Sequence, residues 1–157
     1  MKKRKLFKKA LILIGAVFLI GAGIGLYLFF KPHRNVQDTD IFAELSTRAL
    51  TSEFSANATA ANAKYLSSDG NSKVLVIKGR VDNVSINQNG ERVIELKDEG
   101  AKAGISATLI KSDSVAASQL KKGDIIRIKG AITAGNSYDP TLDLYTDAIL
   151  VQSRILQ

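Results

Sequence analysis

The chain has no cysteine among its 157 residues. That excludes disulfides, thiolate metal sites, a catalytic thiol and the acylated cysteine of a lipoprotein. It has no tryptophan, two prolines and one histidine, His33. A lone histidine whose nearest carboxylate is Asp38 makes no metal set or acid–base pair. The first 34 residues contain no acid, yet hold Lys2, Lys3, Arg4, Lys5, Lys8, Lys9, Lys31 and Arg34 of the 22 basic residues. The other 14 bases face all 15 acids, so residues 35–157 carry a net charge of −1. The overall charge of +7 therefore belongs to the tail and gives no reason to expect a polyanion on the rest.

What is present is a long apolar run. Residues 10–30 read ALILIGAVFLIGAGIGLYLFF, with no charge, Asn, Gln or Pro. As a helix this is ~31 Å long, the thickness of a bilayer core. Its Leu, Ile, Val and Phe favour insertion by about 4–8 kcal/mol in sum. The rival, a cleaved signal peptide with Gly21-Ala22-Gly23 at its cut site, is disfavoured because the run continues through Ile24 to Phe30. An uncleaved single-pass membrane anchor is expected at 10–30, with the lipid bilayer as its partner. Six Lys/Arg precede it and two follow, so residues 1–9 form a basic cytoplasmic tail. The C-terminal part is then extracytoplasmic, and periplasmic in a Gram-negative cell. Gly21-x-x-x-Gly25 also matches a helix-dimer motif, which offers a homo-oligomer through Gly21 and Gly25.

Residues 31–39 read as a polar linker. In the segment 40–66 apolar residues recur at Phe42, Leu45, Ala49, Phe54, Ala58, Ala61 and Tyr65. This spacing predicts one long helix or two short ones, capped by Thr39 or Asp40 and interrupted, if at all, at Thr51-Ser52. Then the texture turns to strands. Residues 73–86 are β-branched, with Gly79 where a bulge or sharp coil would lie. Gln88-Asn89-Gly90-Glu91 is a hairpin turn. Residues 92–97 and 104–110 alternate, with Ile94, Leu96, Ile105, Ala107 and Leu109 inward. A short helix is expected over 112–120, a strand over 125–132, a loop over 134–140 and a last strand over 141–151. The order of three strands, a helix and two strands over 72–152 is that of the OB fold, a five-stranded Greek-key barrel.

The pattern Asn57-Ala58 … Ala61-Asn62-Ala63-Lys64-Tyr65 before Val74-Leu75-Val76-Ile77-Lys78-Gly79-Arg80-Val81 resembles the tRNA-anticodon-binding-like OB family of bacterial envelope proteins. Lys122-Gly123-Asp124-Ile125-Ile126-Arg127-Ile128-Lys129-Gly130 resembles its second signature. The resemblance covers roughly residues 40–151 and implies fold and envelope location. It implies no activity.

OB domains bind on the face of the second and third strands and on the loops joining strands one–two and four–five. That makes Gln88, Asn89, Asn136, Ser137, Tyr138, Asp139 and Tyr145 the candidate binding residues. The second and third strands expose Val93, Glu95, Lys97, Ser106, Thr108 and Ile110, with no ring for base stacking, so nucleic acid is not the expected partner. Asp143, Tyr145 and Asp147 share one face of an ideal strand and are read as a solvated face. No catalytic constellation, metal site or cofactor motif is found. The expectation is a membrane-anchored extracytoplasmic OB-fold module that binds an envelope protein, a peptide or a glycan. The alternatives are a structural, self-assembling envelope protein and a single-stranded nucleic-acid binder.

Overall fold

A computed structural model describes residues 21–23, 25 and 35–156, and Asn35–Gln157 form one compact unit. Among the described residues no helix is long and apolar enough to cross a membrane. The span expected at 10–30 lies outside them, apart from Gly21, Ala22, Gly23 and Gly25, which are helical. The basic tail and His33 also lie outside.

The compact unit begins with a 3-10 turn, Val36–Asp38, inside the expected linker. Val36 is buried. The turn is tied to the barrel by Lys129 Nζ, which donates to the Gln37 carbonyl at 2.8 Å, and by Gln37 Nε2, which donates to the Gln152 carbonyl at 2.6 Å.

The helical reading of 40–66 needs correction at its start. Ala43–Ser46 is a strand, β1, paired parallel with the next strand from Ala43↔Leu75 to Ser46↔Lys78. Phe42 and Leu45 fit helical spacing, but the open backbone edge of the neighbouring strand offers them a ladder instead. The first helix, α1 (Thr47–Ala56), starts where Ser46 Oγ accepts from the Ala49 amide at 3.1 Å. It ends at Asn57, whose side chain caps α2 (Ala58–Tyr65) through the Ala60 amide. Two short helices therefore stand there, divided at Asn57 and not at Thr51-Ser52, and neither Thr39 nor Asp40 is the cap.

β2 (Val74–Ile86), β3 (Arg92–Leu96), β4 (Ile105–Leu109), β5 (Ile125–Ala134) and β8 (Ala148–Leu156) make the barrel. The sheet runs β1-β2-β3-β4-β8-β5, and β5 returns to pair with β2. That closure, with β4 and β8 parallel, is the connectivity of an OB fold. A 3-10 turn, Lys111–Asp113, and α3 (Ser114–Ser118) lie between β4 and β5, as the element order requires. The last strand runs to Leu156, past the expected end at 151.

The period-two readings of β3 and β4 agree with the burial of Ile94, Leu96, Ile105 and Ala107, all without solvent contact. Their side chains meet Leu50, Phe54 and Tyr65 from the two helices in one core, so α1 and α2 close the barrel. Gly79 is not a bulge. The register shift falls between Val81 and Asn83, and a Cβ on Gly79 would lie 2.2 Å from Thr47 Oγ1. The glycine lets the start of α1 sit on β2.

Candidate binding site

The connection between β5 and β8 is built as a hairpin where a loop and a continuous strand were expected. β6 (Ser137–Asp139) and β7 (Leu144–Thr146) form a separate two-stranded sheet, paired Ser137↔Thr146, Tyr138↔Tyr145 and Asp139↔Leu144. Two aspartates build the turn. The Asp139 carboxylate accepts from the Thr141 amide at 2.8 Å, and Asp143 takes a left-handed backbone, φ 48°. The left-handed residue lets the chain reverse, a conformation Asp tolerates better than most.

The register places Tyr138 and Tyr145 side by side, ring centroids 4.5 Å apart and tilted by 35°. Tyr138 is 46% exposed, and its hydroxyl donates to Asp143 Oδ1 at 2.8 Å. That bond to a carboxylate raises the Tyr138 phenol above its ordinary pKa. Lys102 Nζ stands 5.1 Å from the Tyr145 ring centre. Leu142 and Leu144, 69% and 52% exposed, make the rest of the hairpin apolar.

The hairpin is docked at its base. The Phe54 ring lies so close to Gly135 that a Cβ there would be 2.1 Å from two ring carbons. Phe54 itself packs on Tyr65, centroids 5.9 Å apart. Next along the chain, Asn136 is only 4% exposed; its Nδ2 donates to Ser55 Oγ at 3.1 Å while its Oδ1 has no partner. An unmet buried acceptor costs about 1–3 kcal/mol. Phe54, Ser55, Ala58, Asn136, Ser137, Tyr138 and Tyr145 line a groove of about 420 Å³ between the two helices and the hairpin. None of these residues is charged.

Of the sequence-derived candidates, Asn136, Ser137, Tyr138, Asp139 and Tyr145 are therefore brought together. Gln88 and Asn89 are elsewhere. Their turn joins the Ile86↔Arg92 end of the β2–β3 ladder, whereas the Asp147 side chain ties the hairpin's exit to the Gly104 amide, beside the Leu96↔Ile105 end of β3. Five residues of strand, roughly 17 Å, lie between the two groups. Asn89 donates its amide to the Asn87 side chain, which also accepts from Glu91, so it serves the turn. The outer face between the two groups carries the pairs Val93↔Thr108 and Glu95↔Ser106 and no ring.

The acids on 139–147 are not one solvated face. Asp139 builds the turn, Asp143 holds Tyr138 and Asp147 holds Gly104. Among the described residues no group of three or more ligands could hold a metal ion. Sequence reasoning missed Phe54 and Ser55 as site residues. The heptapeptide around them reads as an amphipathic helix, and nothing local announces a partner some 80 residues on.

The family model described as tRNA_anti-like matches residues 1–143. The chain belongs to the tRNA_anti-like family. No curated protein matches this tRNA_anti-like chain. Among solved structures it is similar to a lipoprotein of Klebsiella pneumoniae subsp. pneumoniae MGH 78578 that has been proposed to bind nucleic acid. The TM-score is 0.53 at 15% identity, over 73% of this chain and 91% of that one. It is also similar to the asparaginyl-tRNA synthetase of Entamoeba histolytica (TM-score 0.37, 15% identity, 54% of this chain and 20% of that chain). A third likeness is to OBody NL8 bound to hen egg-white lysozyme (TM-score 0.38, 16% identity, 54% and 94%). The Klebsiella structure shares the barrel. In this tRNA_anti-like domain the segments around the hairpin, 97–104 and 135–147, hold two lysines against five carboxylates.

Proposed function

We propose that this tRNA_anti-like protein is a binding module held on the outer side of a cytoplasmic membrane by residues 10–30. Its partner, an envelope protein, peptide or glycan, is recognised at the β6–β7 hairpin. The observation that carries the reading is the hairpin itself. It stands outside the barrel ladder and presents Tyr138, Leu142 and Leu144 to solvent, all at least 46% exposed. Its base is fixed by Phe54 and Asn136, so the tyrosine pair is presented from a rigid support at low entropic cost. The anchor is supported by the length of the uncharged run and by the flanking charges. The family match also begins at residue 1 and so includes that run. A sequence without cysteine has no lipoprotein route to the same location.

The Klebsiella neighbour's assignment raises nucleic acid as a second reading, and the Tyr138–Tyr145 pair beside Lys102 is the feature that favours it. Against it stand the local excess of three negative charges and the ringless β3–β4 face, because phosphate binding depends on Lys and Arg.

Two measurements test the proposal. A reporter fused after Gln157 is expected to be active only outside the cytoplasm; activity only inside overturns the address. A photocrosslinking residue at position 138 is expected to capture a partner in cells, and the capture to disappear with Tyr145→Ala. Capture that ignores Tyr145→Ala overturns the hairpin as the recognition element.

A further inference from the structure

The outer face of β2, β5 and β8 is basic. The register sets its side chains in rows: Glu44, Val76, Lys129 and Arg154 in one, Ser46, Lys78, Arg127 and Leu156 in the next, Arg80 and Ile125 in a third. Five cations and one carboxylate share these rows. The paired rows of β3 and β4, across the barrel, carry Glu95 and no cation. We infer that the basic face lies on the bilayer that residues 10–30 span, with Lys78, Arg80, Lys129 and Arg154 against the headgroups of anionic phospholipids. This rests on the reading of residues 10–30 as an anchor.

Three observations select that occupant. The first is the length of the tether. Val36 packs on Val74, Ala131 and Val151, the row beside Lys129 and Arg154, so the chain joins the barrel on the basic face itself. Residues 31–34 alone separate Asn35 from the end of the apolar run, which limits the gap to about 17 Å. So short a tether holds the lipid surface at a high effective concentration, and weak charge pairing suffices.

The second is charge. Glu44 takes Arg127 through two bonds of 2.9 Å. Three more acids reach the face from its rim. Asp113 stands 3.8 Å from Arg154 and Glu99 3.6 Å from Arg80, while Asp38 accepts from Asn35. Asp113 is only 8% exposed and also accepts from the Ile155 amide, so it offers little to solvent. With Lys31 and Arg34 of the tether, seven bases meet four acids, a net +3, whereas residues 35–157 as a whole carry −1. Clustered Lys and Arg next to a membrane anchor are drawn to anionic lipid.

The third is what the rows lack and what they end in. They contain no aromatic ring, so a single-stranded nucleic acid finds nothing to stack on. The last row holds Ile125, 59% exposed, an apolar side chain that the headgroup boundary accepts beside cations.

The test exploits the absence of cysteine. In the full chain Ile125→Cys, on the basic face, or Ser106→Cys, across the barrel, carries a fluorescent dye. Each protein is placed in nanodiscs of phosphatidylcholine, alone or mixed with phosphatidylglycerol, that contain a lipid with a quenching headgroup. In the anionic discs the dye at 125 is expected to be quenched and the dye at 106 not. The quenching at 125 is expected to be lost in neutral discs, at about 1 M salt, where screening acts within ~3 Å, and in Lys78→Gln/Arg154→Gln. Quenching that is absent from anionic discs, or that survives in neutral discs or in the double variant, overturns the inference. An oligothymidylate that shifts the dye at 125 where anionic lipid does not quench it overturns it in favour of nucleic acid. A chain that never enters the discs fails the anchor reading instead. The face is then supported if that chain binds phosphatidylglycerol vesicles less tightly after Lys78→Gln/Arg154→Gln, and overturned otherwise.

Discussion

Gly79→Ala probes the seat of α1 on the barrel. A Cβ at Gly79 would meet Thr47 Oγ1 at 2.2 Å and two Leu96 side-chain carbons at 3.1 Å. Overpacking of this kind costs about 1–3 kcal/mol, reduced by the ~0.4–1 kcal/mol that Ala gains over Gly in the unfolded chain. The hydroxyl is the worst of the three contacts. It is also buried without a partner, so Thr47→Ala removes an unmet group worth about 1–3 kcal/mol and loses a methyl worth about 0.8 kcal/mol. The single Thr47→Ala variant is therefore expected to be neutral or slightly more stable. The double variant should recover at least about 1 kcal/mol of the Gly79→Ala loss, as coupling between touching sites does. Urea unfolding of the four proteins, followed by far-UV circular dichroism, measures the cycle. Additivity within about 0.5 kcal/mol would mean that Leu96 or the strand backbone, not the hydroxyl, sets the limit at this seat.

Asp143→Asn should lower the Tyr138 phenol toward its ordinary pKa, because the Asp143 carboxylate is the main cause of its rise. Asn also suits the left-handed backbone at 143, so the hairpin stays folded; a tyrosine titration in which no ring moves refutes the assignment. Gln152 sits at φ 48° where the β5–β8 register shifts, a bulge position that favours glycine. Gln152→Gly is expected to raise stability by about 1 kcal/mol, read from the urea midpoint, since its carbonyl bond from Gln37 is kept. Glu44, Glu53 and Asp82 are held below their ordinary values of 4.5, 4.5 and 3.8, chiefly by hydrogen bonds from Arg127, Lys64 and Lys122. The folded chain then gives up these protons more readily than the unfolded chain, so their contribution is complete above pH 4.5 and is lost as the pH falls through the lowered values. The urea midpoint should be level from about pH 7 to 5 and drop below about pH 4; a midpoint that climbs on acidification contradicts those pairings.

The barrel was legible because its strands are amphipathic and short. Ile94 and Leu96 alternate with outward Val93 and Glu95, and Asn87 to Glu91 announces its own turn. β1 was not legible. Phe42 and Leu45 stand three apart, which suits a helix; in the strand it is Ala43 and Leu45 that share the inner face, and only the free edge of β2 decides between the two. The hairpin was hidden for a related reason. Residues 141–151 look like one strand until Asp143 turns left-handed and Asp147 bonds back to Gly104, and neither event has a local signature. Tyr138 falls in the expected loop and Tyr145 in the expected last strand, and their pairing comes from the register. Asn136 was picked out as a surface residue, yet it is buried because Phe54 draws the chain down at Gly135.

The two-stranded sheet of β6 and β7 shares no backbone pairing with the barrel. Substitutions along it leave every rung of the five-stranded closure in place, so a lineage of such proteins is free to trade one specificity for another there while the scaffold's melting point stays nearly constant. An engineer wishing to redirect the protein would exchange residues 137–146 as a cassette and leave Gly135 and Phe54 untouched.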